Sequence, residues 1–160
     1  MNCMAVAATT CGDGRDWMFG DGGNDKLVFE TNLEFGEGGA GADRFIIRTI
    51  TNNATGPATV VLTDFTTGED VIVLDRFDGN KDKKGSQSLH FAEYAVYDAS
   101  NGLSDLEQGF VNDRKPGSVT IYEDENGDTL LIINRDDDRV REFEIKFDGP
   151  LGDFSSDLLL

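Results

Sequence analysis

Short apolar runs separated by turns rich in glycine and acidic residues recur along the chain, a pattern typical of an all-β protein. The signal is strongest toward the C-terminus, where apolar runs at 118–124 and 128–134 flank Glu125-Asn126-Gly127. Asn-Gly between two strand-like runs is a strong β-hairpin signal. A third strand is predicted at 140–147, where apolar and polar residues mostly alternate. We expect these strands to form an antiparallel cap over the open end of the preceding strands, because an uncovered edge risks aggregation.

The middle of the chain contains two further β-branched runs, at 60–62 and 71–74, which flank a Thr-Thr-Gly turn. They predict two more strands. Residues 78–117 are less regular, and their segment 88–97 fits a helix or a strand equally poorly. A capping-box pattern predicts a short helix at 105–110. This region is therefore predicted to be a loop and short-helix insertion.

Residues 11–46 repeat with a period of nine, in the blocks CGDGRDWMF, GDGGNDKLV, FETNLEFGE and GGAGADRFI. The sixth position of each block is acidic, and these acids are Asp16, Asp25, Glu34 and Asp43. The fourth position holds three glycines and an asparagine, the residue types that best tolerate a left-handed backbone. The eighth position is apolar in every block except the third. A turn, an acid and an inward apolar residue thus recur at a fixed period, which indicates stacked repeats and not a flexible linker.

These blocks resemble the calcium-binding nonapeptide repeats of RTX (repeats-in-toxin) proteins, GGxGxDxUx. Residues 38–46 match every specified position of that pattern. The block 20–28 has Asp21 in place of the second glycine, and the first block has Cys11 in place of the first. The third block keeps only its fourth-position asparagine and its acid, Glu34. The resemblance implies a parallel β-roll that binds Ca²⁺.

In such a roll each block is a six-residue turn followed by a three-residue strand, so turns eighteen residues apart are stacked. The resemblance implies a calcium ion between the turns 20–25 and 38–43, with carboxylate ligands from Asp25 and Asp43. Backbone carbonyls that turn inward complete the oxygen shell, and their candidates are Gly20, Gly22, Gly38 and Ala40. The other edge would pair Asp16 with Glu34 as a weaker site.

Residues 64–74 resemble the DF-x-x-G-x-D-x-I-x-L element that follows the last repeat in serralysin-type metalloproteases and in the R modules of mannuronan epimerases. By this resemblance Asp64 and Asp70 are further calcium ligands, although surface turn aspartates would have the same appearance. The C-terminal strands resemble the cap of both families. The predicted fold class is accordingly all-β: a short parallel β-roll, extended and capped by antiparallel strands.

With 160 residues and 38% hydrophobic content, the chain is expected to form one domain, 1–160. Its predicted parts are the repeats (11–46), a roll extension (47–77), the insertion (78–117) and the cap (118–160). The net charge of −17 argues against nucleic acid or an anionic membrane as a partner, but it suits a divalent cation. Without calcium the clustered carboxylates repel one another, so ion binding should contribute free energy of folding.

Several features bear on cellular location. No apolar stretch approaches the length of a membrane span, and the N-terminus lacks the basic region of a signal peptide. The ending Asp157-Leu158-Leu159-Leu160 resembles the uncleaved export signal of type I secreted proteins, with a frayed last strand as the alternative. We therefore expect an extracellular protein, exported by the type I secretion machinery of a Gram-negative bacterium. Cys3 and Cys11 could form a disulfide in an oxidising compartment.

The sequence favours a non-catalytic calcium-binding module. His90 is the only histidine, which excludes a histidine-ligated zinc peptidase, whereas a glycosidase needs only two carboxylates and is not excluded by composition. One alternative is a module that binds an anionic, alginate-like polysaccharide. Its candidate basic residues are Arg44, Arg48, Arg76, Arg139, Arg141 and Lys146. A second alternative is a catalytic domain that acts on glycans.

Overall fold

The computed structural model describes residues 2–4, 16–30, 34–48, 58–80, 82–102, 115–136 and 142–160, which form two β-sheets. The strands are β1 (Asn2–Met4), β2 (Trp17–Phe19), β3 (Lys26–Phe29), β4 (Glu34–Glu37), β5 (Arg44–Arg48), β6 (Ala58–Leu62), β7 (Val71–Asp75), β8 (His90–Val96), β9 (Ser118–Glu123), β10 (Thr129–Ile133), β11 (Phe143–Phe147) and β12 (Leu158–Leu159). Two short 3-10 helices, Ala99–Asn101 and Ser155–Asp157, are the helical elements of the described residues.

The repeat blocks divide between the two sheets. Odd-numbered blocks supply β2 and β4 to one sheet, and even-numbered blocks supply β3 and β5 to the other. Strands from blocks two apart are parallel neighbours, with Trp17 opposite Phe35 and Leu27 opposite Phe45. The second sheet has the order β12-β7-β5-β3 and is parallel throughout.

The predicted fold class, a short parallel β-roll capped by antiparallel strands, is wrong, although the protein is built mainly of strands. The antiparallel strands do not cover an open end. Instead, β11 pairs in parallel with β6, and β10, β9 and β8 continue the same sheet in the order β1-β2-β4-β6-β11-β10-β9-β8. The physical reason is that the free edge of β6 offers unpaired backbone groups, which β11 satisfies by extending the sheet sideways. The result is an eight-stranded mixed sheet packed against a four-stranded parallel one.

The hairpin predicted around Asn126-Gly127 is present, since β9 and β10 are antiparallel neighbours with Glu123 opposite Thr129. The ambiguous segment 88–97 contains a strand, β8, which pairs in parallel with β9. The predicted helix at 105–110 lies outside the described residues. The C-terminal residues considered as an export signal or a frayed strand include β12, whose Leu158 lies opposite Ile72 of β7.

The core lies between the sheets and is rich in aromatic rings. The ring of Phe65, which follows β6, packs against those of Phe147 and Phe154 at centroid distances of 5.4 and 5.3 Å. The third block departs from the repeat for a packing reason. A Cβ on Gly36 would lie 2.5 Å from Cζ of Phe29, so the Phe29 ring occupies the space that an inward side chain of this block would need.

Candidate functional site

The candidate site is a turn stack, here defined as the turns 20–25, 38–43 and 64–70, which precede β3, β5 and β7 at one edge of the molecule. The first two turns are joined by backbone hydrogen bonds. The Gly23 amide donates to the Ala40 carbonyl at 2.8 Å, and the Ala40 amide donates to the Asp21 carbonyl at 3.0 Å. Gly22 and Ala40 form a parallel bridge between the same turns. These contacts fix the backbone that surrounds the predicted ligands.

Close approach of the two turns requires glycine at position 39. Its φ of +90° is a conformation that L side chains rarely adopt. A Cβ at this position would also lie 2.0 Å from the Asp21 carbonyl oxygen. Asp21, which replaces the corresponding glycine of the preceding repeat, has a positive φ of 67°. Both turns therefore have a positive φ at this position, even where the repeat pattern is broken.

The structure brings the two predicted carboxylate ligands together. Asp25 and Asp43 are 8% and 1% exposed, and Oδ1 of Asp43 accepts a hydrogen bond from the Asp25 amide at 2.8 Å. The Oδ2 atoms of both residues are buried without a hydrogen-bond partner. A Cβ on Gly38 would lie 2.3 Å from Oδ2 of Asp43, so the glycine leaves room for this oxygen. Buried carboxylate oxygens without a donor are costly unless a cation compensates them.

The electrostatics of the turn stack disfavour its charged state. Burial raises the pKa of the Asp43 carboxyl above its usual value. Repulsion from the nearby acids Asp25, Asp64 and Glu69 raises this pKa further, whereas the hydrogen bond from the Asp25 amide lowers it. Burial likewise raises the pKa of Asp70, and Asp43 and Asp64 add to the rise. A divalent cation bound in the stack would remove this penalty.

The predicted carbonyl ligands differ in their contacts. The Ala40 carbonyl already accepts a hydrogen bond from Gly23. The Gly38 carbonyl oxygen points at the neighbouring turn, because a Cβ on Gly20 would lie 2.2 Å from it. Within the described residues, no group of three or more His, Cys, Asp and Glu side chains forms a metal-binding cluster. A cation between these turns would therefore depend on backbone carbonyls as well as on the two carboxylates.

The third turn contributes the other predicted ligands, Asp64 and Asp70. Their carboxylate oxygens accept hydrogen bonds from backbone amides of the turn 38–43 and, for Asp70, of its own turn.

Two similar contacts between turns were not predicted from the sequence. Oδ1 of Asn24 accepts from the Ala42 amide at 3.1 Å, and Oδ2 of Asp157 accepts from the Gly68 amide at 2.8 Å. The spacing of 18 residues between Asn24 and Ala42 is twice the nine-residue repeat period and could have revealed the first contact. The separation of 89 residues in the second offers no such signal.

The second predicted site is only partly described. Asp16 and Glu34 are both buried, and Oε2 of Glu34 accepts a hydrogen bond from the Glu30 amide at 3.0 Å. The remaining residues of their turns, 11–15 and 31–33, lie outside the described residues. Cys11 lies there too, so the disulfide with Cys3 stays a prediction.

The basic residues proposed for polysaccharide binding are divided between the two sheets where the structure describes them on strands. Arg44 and Arg48 lie on β5 of the second sheet, whereas Lys146 lies on β11 of the first. Arg48 forms an ion pair with Glu30, and Nζ of Lys146 lies 2.8 Å from Oδ2 of Asp128. Arg139 and Arg141 lie outside the described residues.

Two surface cavities bear on the catalytic alternative. One, of about 320 Å³, is lined by residues of the segments 74–77 and 86–89 and by Leu160, and Asp75 is the only acid among the described residues of this lining. The other, of about 420 Å³, is lined by Asn80, Asp82, Lys83 and Pro116. Among the residues that the structure describes, each of the two cavities has a single carboxylate in its lining, whereas glycoside hydrolysis commonly uses a pair.

Comparisons with known proteins do not identify the chain: no family model matches it, and no curated protein does. In the part of the chain that the structure describes, no helix is long and apolar enough to cross a membrane.

Proposed function

We propose that this chain is a non-catalytic calcium-binding module of RTX type, in which an ion held in the turn stack stabilises the folded state. The observation that carries the proposal is a pair of buried oxygens, Oδ2 of Asp25 and Oδ2 of Asp43. They lie in adjacent turns, and neither has a hydrogen-bond partner. The site offers carboxylate and carbonyl oxygens only, and this donor set suits Ca²⁺. The ion would supply the positive charge that the stacked carboxylates lack.

The role that we propose for the ion is to couple folding to calcium concentration. The chain has a net charge of −17 and buries acids in successive turns. Without calcium, repulsion between these carboxylates destabilises the folded state. Extracellular modules bind calcium with dissociation constants of about 10⁻⁴ to 10⁻³ M. A site in this range would leave the repeats unfolded in a cell interior low in calcium and folded outside, which suits a protein exported by a type I system.

Calcium titration followed by circular dichroism tests the proposal. The wild-type chain should gain β-sheet signal as calcium is added, and the Asp25→Asn, Asp43→Asn double variant should lose this response. Asp148→Asn is a matched control, because Asp148 is an exposed turn aspartate outside the turn stack. A wild-type chain that is fully folded in excess chelator and unchanged by calcium would contradict the proposal. Magnesium at the same concentration serves as the specificity control.

A further inference from the structure

The turn 64–70 contacts the turn 38–43 through hydrogen bonds from backbone amides to side-chain carboxylates. Oδ1 of Asp64 accepts from the Gly38 amide at 2.8 Å, and Oδ2 accepts from the Gly39 amide at 2.6 Å. Both oxygens of this carboxylate are thus engaged by consecutive amides of the neighbouring turn. Hydrogen bonds to a charged acceptor are about twice as strong as neutral ones.

Asp70 makes the same kind of contact. Its Oδ1 accepts from the Asp43 amide at 2.8 Å, and its Oδ2 accepts from the Thr66 amide at 2.8 Å. Asp25 and Asp43 differ, because each retains a buried Oδ2 without a hydrogen-bond donor. The four aspartates therefore fall into two classes by the contacts of their oxygens.

We propose that Asp64 and Asp70 are positioning residues, which hold the turn 38–43 in place for a cation, and that Asp25 and Asp43 are the carboxylate ligands. The inference rests on the proposed calcium function and departs from the ligand role that the family resemblance implies for Asp64 and Asp70. Amides already compensate all four oxygens of the positioning pair. A bound cation would stabilise the Oδ2 atoms of Asp25 and Asp43 more strongly, because no amide compensates these two oxygens.

The carboxylate contacts between turns all run in one direction, whereas the side-chain amide oxygen of Asn24 accepts from the Ala42 amide in the opposite direction. Asp43 accepts from the amide of Asp25 in the preceding turn, and Asp70 accepts from the amide of Asp43. The series continues beyond the repeats, because Asp157 beside β12 accepts from the Gly68 amide. Each turn is therefore held by the carboxylate of the turn that follows it in the stack, and the turn 64–70 adds support without adding a cation ligand.

The number of bound ions and the calcium midpoint of folding together test the assignment. Asp64→Asn keeps the shape of the side chain but replaces one acceptor oxygen with a donor nitrogen, so it loses one of the two amide hydrogen bonds. We expect the variant to bind as many calcium ions as the wild type at saturation, measured by native mass spectrometry. Its calcium midpoint of folding should rise roughly ten- to a hundredfold, the effect of losing one hydrogen bond to a charged group. Glu69→Gln is the control, because it removes an exposed charge from the same turn.

Loss of one bound ion in Asp64→Asn would overturn the positioning role, and so would an unchanged midpoint. If this variant does not fold at any calcium concentration, hydrogen exchange of the calcium-loaded wild type decides. Protected Gly38 and Gly39 amides support the assignment, and exchange at the rate of an unstructured peptide overturns it. A wild type that binds no calcium would instead refute the proposed function, so the two failures are distinguishable.

Discussion

The turn stack and the hairpin region, defined as β9, β10, β11 and their turns, use the same residue type in opposite electrostatic situations. In the hairpin region a hydrogen bond from Lys146 lowers the pKa of Asp128, and the Gly149 amide adds to this effect. In the turn stack, burial and neighbouring acids raise the pKa of Asp43. A turn aspartate with a cationic neighbour, such as Asp128, is therefore stabilised in its charged form by the protein itself. An aspartate that is buried beside other acids, such as Asp43, is disfavoured in its charged form unless a hydrogen-bond donor or a cation compensates it.

Local hydrogen bonding strengthens the contrast. In the turn between β9 and β10, Oδ1 of Asp124 accepts from the amides of Asn126 and Asp128, at 2.8 and 2.9 Å. This carboxylate closes its own turn. In the turn stack, by contrast, Asp43 and Asp64 accept from amides of other turns. The hairpin turn can therefore form locally, whereas the turn stack forms only when distant segments meet.

The largest expected effect comes from breaking the close approach of the stacked turns. Gly39→Ala should reduce the free energy of unfolding in saturating calcium by more than about 3 kcal/mol, because it adds a clash to an unfavourable φ. Gly68→Ala is the matched control, since its φ of +77° is also positive but nothing lies within 4 Å of the added Cβ. The control should cost only about 1–2 kcal/mol in urea denaturation. Equal losses in the two variants would show that the approach of the turns contributes nothing.

A buried threonine tests the hairpin region. Oγ1 of Thr129 donates to the Gly149 carbonyl and accepts from the Leu151 amide, both at 2.9 Å. Thr129→Val leaves the Leu151 amide without this partner, whereas the Gly149 carbonyl still accepts from the Thr129 amide at 3.2 Å, so the variant should cost about 1–3 kcal/mol in saturating calcium. The number of bound ions should stay that of the wild type, measured by native mass spectrometry. Loss of an ion would mean that the hairpin region also holds a metal, so that it would not differ from the turn stack in this respect.

A smaller effect is expected from pH, and its sign differs between the regions. Because the pKa values of Asp43 and Asp70 are raised by folding, their protonated forms favour the folded state. In chelator, this contribution is fully present below the unfolded-state pKa of about 3.9 and is lost as pH rises through the raised values. Asp128 has a lowered pKa, so its contribution is present above about 3.9 and is lost as pH falls through the lowered value.

Circular dichroism in chelator between neutral and mildly acidic pH measures this balance. The folded fraction should increase as pH falls from neutral through the raised pKa values of Asp43 and Asp70, and calcium should reverse the trend, since calcium needs ionised ligands. A chelated protein whose folded fraction falls steadily over this range would contradict the raised pKa values.

The smallest expected effect is loss of the ion pair between Lys146 and Asp128. Lys146→Met should lower stability by about 0.5 kcal/mol, the scale of a solvent-accessible ion pair. The loss should shrink in high salt, because screening weakens such pairs. Lys26→Met is the control, since Lys26 is exposed on β3 of the other sheet. Thermal unfolding at low and high salt is the measurement, and a loss that is independent of salt would exclude an electrostatic origin.

Much of the candidate site could be predicted from the sequence. The nine-residue period correctly assigned Asp25 and Asp43 to adjacent turns. Parallel strands in register place residues that are 18 positions apart, two repeats, next to each other. Asn126-Gly127 likewise predicted the hairpin, since the turn type depends on local backbone conformation. The different contacts of Asp64 and Asp70 could not be predicted, because they depend on which amides lie nearby in three dimensions.

The sequence by itself determined the strand-rich character of the chain, the repeat period and the positions of the acids and glycines in the turns. Each of these properties depends on residues close together in the chain. Only the tertiary structure decided that β11 pairs with β6, with Phe143 opposite Ala58. It also decided that the C-terminal strands widen a sheet and do not cap it. The physical reason is that a free strand edge can accept any strand of suitable length, and a local pattern does not specify its partner.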